Sequence, residues 1–195
     1  MTRRIPIVST VIVLAAVATM IGLGVWQLHR KEWKEALIAR YLAAETMNSD
    51  VPWPASPAEY PDALYRHARV ECAEVTRISA ISGRSATGQP GWAHIAHCRL
   101  LNGGDADIGL GWSNDSASPS WSGGEVGGVI AGSEDRVRLV AAPPQAGLAQ
   151  LALPDPRDLP NNHLSYAVQW FLFAATALVI YVLALRKKWR AENPR

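Results

Sequence analysis

The chain has 195 residues, with 19 Lys and Arg against 17 Asp and Glu and a formal net charge of +2. So even a balance, without a stripe of basic residues interleaved with aromatics, excludes nucleic acid as the expected partner. Charged residues make up only 18% and apolar residues 49%, and the apolar ones gather at the two ends.

The first end, 5–28, contains IPIVSTVIVLAAVATMIGLGVW from Ile5 to Trp26 without a charge. A helix needs about 20 such residues to cross a bilayer, so this segment is expected to span a membrane and to contact lipid. Ala16-Val17-Ala18 also resembles the cleavage site of a secretory signal, but the apolar run continues beyond the length of a signal core. Residues 1–4, with Arg3 and Arg4, form a short N-terminal segment before it. Beyond Trp26, the residues Trp33, Leu37, Ile38, Tyr41 and Leu42 make one apolar stripe, and Lys31, Glu32, Lys34 and Glu35 fall between them. That spacing predicts an amphipathic helix over 29–46, lying on the membrane or, as is commoner, on the protein's own domain. The run VPWPASPAEYP holds four prolines, which forbid a helix and make 47–62 an extended linker.

Segment 63–160 changes character. YRHARVECAEVTRISAI, WAHIAHCRLL, DIGLGW, EVGGVIAG, RVRLVAA and LAQLAL are short β-rich runs parted by turn-forming stretches such as NGGD and SNDSASPSWSGG. They predict a small antiparallel β-sandwich or partly open β-barrel. Cys72 and Cys98, if bonded, would close a loop of about 25 residues and contribute about 3 kcal/mol; two separately buried thiols fit the sequence equally well. His94, His97 and Cys98 in HIAHC offer copper or zinc ligands only if a turn breaks strand alternation, which puts His94 and Cys98 on one face and His97 on the other. Strand histidines on a half-wet face are the commoner case, and His67 is expected to be exposed. The segment has no Gly-x-Ser-x-Gly elbow, phosphate loop or Cys-x-x-Cys, and its spacing groups no nucleophile, base and orienter.

The second span follows the breaker run LPDPRDLP. Leu164 to Leu185, LSYAVQWFLFAATALVIYVLAL, is again uncharged, which predicts a second membrane helix over 161–185 and a basic tail, 186–195. Arg3 and Arg4 with Arg186, Lys187, Lys188 and Arg190 outnumber Arg30, Lys31, Lys34 and Arg40. The positive-inside rule therefore puts both termini in the cytoplasm and the β domain in a periplasm-like space.

His163 stands at the mouth of this span behind Asn161 and Asn162, one of which is positioned to cap the helix. Polar groups at membrane depth are costly and often functional, and a neutral imidazole is the form that ligates haem iron. An interfacial histidine that merely solvates a helix end is the simpler alternative. His29 leaves the first span at the same depth and is a candidate second ligand. Trp26, Tyr166, Trp170 and Phe171 would supply flat apolar walls, and Arg30, Lys31 and Lys34 cations for acidic groups such as haem propionates. An ordinary aromatic belt with snorkelling cations explains everything but the histidines.

Two strings carry a resemblance. GLGVWQLHRKEWKEALI, Gly22 to Ile38, is similar to Gly-x-Trp-Gln-x-x-Arg-x-x-Trp-Lys-x-x-Leu-Ile, the first signature of the surfeit-locus cytochrome c oxidase assembly family. Gly24, Trp26, Gln27, Arg30, Trp33, Lys34, Leu37 and Ile38 match. The second signature, Asn-x-His-Leu-x-Tyr-x-x-x-Trp-(Phe/Tyr), is matched by Asn161, His163, Leu164, Tyr166, Trp170 and Phe171. The middle departs more: Cys72 or its neighbour stands where a glycine is usual, DIGLGW lacks an Asn-Arg pair, and a later Pro-x-Asn and Trp segment is absent. The resemblance implies a non-enzymatic assembly factor of the bacterial inner membrane. It would bind haem a through His163 and help insert it into the catalytic subunit of haem–copper oxidase, with haem a synthase as a further partner. A cofactor-free scaffold that stabilises an oxidase intermediate is the competing role. The pattern requires no histidine at position 29, so that ligand rests on depth alone.

Overall fold

The computed structural model describes residues 5–133 and 135–192; Arg3, Arg4 and the rest of segment 1–4 lie outside them. Two compact units emerge, a helical one from Met1–Leu37 and Pro160–Arg195 and a β unit from Ile38–Leu159.

The helical unit contains most of α1, Ile7–Glu45, and all of α3, His163–Glu192. Both are long and apolar enough to cross a membrane, their most apolar 18-residue stretches having mean hydropathies of 2.3 and 2.2, and little of either stretch is buried. A core helix of a soluble domain would be buried instead. Pro6 stands just ahead of α1, where a missing N–H costs nothing. One row of covered residues on α1 recurs at alternating steps of three and four: Thr10, Val13, Val17, Met20, Gly24 and Gln27. They meet a matching row on α3 in which Ala167 and Ala174 are almost wholly buried. The rows run antiparallel, since Thr10 hydrogen-bonds the Tyr181 hydroxyl and Gln27 meets His163. Without a hydrophobic drive between helices in lipid, small residues at the seam and polar contacts across it hold such a pair together.

The β unit is built from β1 (His67–Arg84), β2 (Pro90–Leu100), β3 (Asp105–Ser113), β4 (Gly124–Ser133) and β5 (Arg136–Ala141), preceded by a 3-10 turn, Pro57–Glu59, that runs into a short helix, α2 (Tyr60–Ala63). The proline run is therefore not extended throughout: Pro57 and Pro61 sit in first-turn positions, where a missing N–H costs nothing. The sixth run, LAQLAL, supplies only bridges, Trp112 to Ala149 and Ser85 to Leu151. Strand order is β1-β2-β3-β5-β4, returning to β1 as a small barrel. Strand β1 is long enough to serve two partners: residues 67–72 pair with β4 and residues 72–84 with β2. The seam between β3 and β5 is short, covering only 107–109 against 138–140, and it is parallel. Among the five described strands that is the one departure from the antiparallel expectation, and it has a simple cause. Five strands in a ring cannot alternate in direction all the way round, so one neighbouring pair must run the same way.

The barrel core holds Ile108, Leu110, Ile130 and Leu139, each fully buried, with Val70, Val126 and Leu100 around them. Cys72 and Cys98 lie in the same core and form a disulfide, so the two thiols are neither free nor separate. Ile38 onward, the last turns of α1 belong to the β unit. Tyr41 packs its ring 4.9 Å from Tyr65, Arg40 pairs with Asp62, and Glu45 with Arg157 at 3.8 Å. The stripe read from the sequence thus covers the protein's own domain at Tyr41.

Candidate functional site

Helix α3 begins at His163, and the Asn162 carbonyl accepts the Tyr166 N–H at 3.3 Å. Asn162 therefore occupies the cap position, whose carbonyl takes the first helical bond. The imidazole is half-buried, and its Nδ1 lies 2.8 Å from Gln27 Oε1 on α1. A carboxamide oxygen can only accept. The proton consequently sits on Nδ1, and Nε2 is left with an in-plane lone pair and no protein partner among the described residues. Gln27 does for His163 what an outer-shell acceptor does for a metal-binding histidine, fixing tautomer and ring orientation together. It belongs to the first sequence signature and His163 to the second, so contact between the two is what their joint presence encodes.

The other expected residues fall into two groups. Tyr166 and Trp170 are three and seven positions beyond His163, which returns them to its face of the helix. Tyr166 is exposed, and Trp170 is half-buried with its ring edge-to-face on Phe173 at 6.1 Å. On α1, Trp26 is exposed next to Gln27, and Arg30 lays its guanidinium over the Trp33 ring at 4.5 Å. His29 is not brought to His163. It stands two residues beyond Gln27, about 200° round the helix at 100° per residue, and its side chain is exposed.

Gly24 explains its own place in the signature. A Cβ there would lie 2.6 Å from Cε1 of Phe171, the last residue of the second signature. We expect Gly24→Ala to push the helices apart, at about 1–3 kcal/mol by analogy with overpacked cores. Thermal unfolding of the purified chain in detergent reads the loss, and an unchanged midpoint would show the ring simply turning aside.

A haem iron would find here one imidazole nitrogen without a protein partner among the described residues, flat aromatics on the same helix face, and on α1 the Arg30 guanidinium held over Trp33. HIAHC does not offer a competing metal site. The Cys98 sulfur is consumed by the bond to Cys72. His94 is fully buried and bonds Ser113 Oγ at 2.8 Å through Nε2, while His97 bonds Asp107 at 2.6 Å through Nδ1. Among the described residues no three His, Cys, Asp or Glu side chains converge on a point where a metal would sit. His67 is half-buried rather than exposed.

Comparison with known proteins agrees with the signatures. The model of the SURF1 family matches residues 14–175. Surfeit locus protein 1 of Mus musculus and of Rattus norvegicus are each 43% identical over 53 residues, 27% of this chain and 17% of theirs. A family match that reaches from inside the first apolar helix to inside the second, over a chain whose two signatures meet at Gln27 and His163, places this protein in the SURF1 family.

Proposed function

We propose that the protein is a membrane-bound assembly factor for haem–copper cytochrome c oxidase that holds haem a at the α1–α3 hairpin and passes it to the catalytic subunit. The observation that carries this is the hydrogen bond between Gln27 Oε1 and His163 Nδ1, which turns an outward Nε2 lone pair into a ready axial ligand. When bound, haem a supplies the iron that this nitrogen ligates. The chain's own part is positioning. Gln27 holds the ring, Tyr166 and Trp170 present apolar faces beside it, and Arg30 offers a cation suited to a carboxylate. Half-burial of His163 by the helix seam leaves one side open, as a carrier that must release its cargo requires.

The topology we assign puts both termini in the bacterial cytoplasm and the β unit in the periplasm. The basic tail supports that assignment, and a disulfide in the β unit suits an oxidising compartment. The donor of the cargo would be haem a synthase and the acceptor the oxidase's catalytic subunit.

The test is a visible spectrum of protein purified from cells that make haem a. A Soret band is expected to survive purification and to disappear in His163→Ala. No bound haem in the unaltered protein would leave the scaffold role, in which the hairpin and barrel hold an oxidase intermediate without a cofactor.

A further inference from the structure

The barrel carries a second constellation, distinct from the helices. Asp107, His97 and Arg77 stand directly opposite one another on β3, β2 and β1, and Ser79 lies two residues along β1 on the same face. Asp107 Oδ1 accepts from His97 Nδ1 at 2.6 Å, so the imidazole turns the Nε2 lone pair to its other side, where Arg77 Nη2 donates to it at 3.2 Å. Ser79 Oγ lies 2.9 Å from that nitrogen. Hydroxyl, imidazole and carboxylate thus stand in a line, each within hydrogen-bond reach of the next, with the carboxylate fixing the tautomer. That is the geometry by which nucleophile, base and orienter are recognised irrespective of fold. The grouping is invisible in the sequence, where the three residues lie 18 and 10 positions apart.

The His97 and Asp107 end of the line opens into a hollow of about 340 Å³ that Arg77 and Arg136 also line, and half-buried Ser79 stands beside it, 2.9 Å from His97 Nε2. Asp107 and Arg136 also line a larger cleft of about 580 Å³, walled at its far side by Trp53 and Tyr60. His97 and Asp107 remain about a quarter and a fifth exposed, so a small molecule can reach them.

We propose that Ser79, His97 and Asp107 form an acyl-transfer site for small carboxylic esters with an aromatic or apolar arm. Ser79 Oγ bonds to the ester carbonyl carbon as its proton passes to His97 Nε2. The tetrahedral oxyanion then collapses, the carbon–oxygen bond to the alcohol breaks, and the alcohol leaves with the proton from Nε2. A water repeats the sequence on the acyl-serine, releasing the acid and restoring the hydroxyl. Asp107 is a positioning residue that faces the imidazolium. Arg77 Nη2 lies 3.2 Å from Nε2. Its charge opposes the imidazolium but attracts the oxyanion that forms with it. The cleft wall of Trp53 and Tyr60 receives the apolar arm.

The experiment uses the full chain in detergent with p-nitrophenyl acetate and, separately, an aryl fluorophosphonate. The unaltered protein is expected to give a burst of p-nitrophenol and a covalent adduct on the peptide containing Ser79. Ser79→Ala, which removes only a hydroxyl, is expected to abolish both. His97→Gln is expected to slow acylation on the order of 100-fold, and Asp107→Asn to lower kcat with KM unchanged. Should His97→Gln fail to fold, Ser79→Ala decides alone. No adduct on the unaltered protein, or an equal burst from Ser79→Ala, overturns the proposal.

Discussion

Replacing Cys72 and Cys98 together by alanine will lower the stability of the β unit by about 3–4 kcal/mol, the loop-entropy value for this span. The two residues are 26 apart in sequence and almost fully buried, so a cavity term adds to the entropic one. The position of Cys72 makes the loss local as well as global. It is the residue at which β1 changes partner, pairing with Gly124 on β4 and with Leu100 on β2. Irregular register follows at once, between Cys72 and Glu74 and between Val75 and Arg77. Without the bond, β1 and β2 should open first, and hydrogen exchange of their amides during a denaturant series will report it. Reduction of the unaltered chain should reproduce the shift. A loss below about 1 kcal/mol would mean that the reduced, unfolded chain already keeps these strands together.

With His163 as the haem ligand proposed above, Gln27→Leu will weaken haem retention by about 10–100-fold, the usual effect of removing an outer-shell partner of a ligating histidine. Leucine fills the space of the carboxamide but accepts no proton, so Nδ1–H loses its partner and the ring its fixed tautomer. Gln27→Glu should act oppositely on the iron. A carboxylate draws harder on the Nδ1 proton, makes Nε2 a stronger donor and shifts the reduction midpoint of bound haem to lower potential. Titration of both variants with haem, followed by redox titration, separates these outcomes. Unchanged affinity in Gln27→Leu would show that the hydrogen bond does not prepare the ligand.

Length and hydropathy made both helices legible, because about 20 uncharged residues have few other uses. Alternation and turn residues made the β segment legible as a class. Contacts between distant residues were not legible. Gln27 and His163 lie 136 positions apart, and each was visible only as part of its own signature. Depth in the membrane singled out His29, but depth ignores angle around the helix, and two steps past Gln27 turn the side chain to another side. Ser79, His97 and Asp107 depend on strand register, including a bulge beside Val75, and one slipped residue would put them on opposite faces. The parallel seam between β3 and β5 follows from an odd strand count, which no local pattern reveals.

Thr10 and Gln27 are 17 positions apart, about 25 Å along a helix, so the contacts to Tyr181 and His163 sit near opposite edges of the apolar layer. Sliding α3 by one turn breaks both at once. This has a meaning in time. Helix α3 starts 118 residues after α1 ends, from Glu45 to His163, and at about 5–20 residues per second a ribosome needs roughly 6–24 s to cover that distance. For that interval every newly made copy holds Gln27 without its histidine. Only when α3 has been made as far as Tyr181 can both contacts form, and they then close the two ends of the hairpin in a single register.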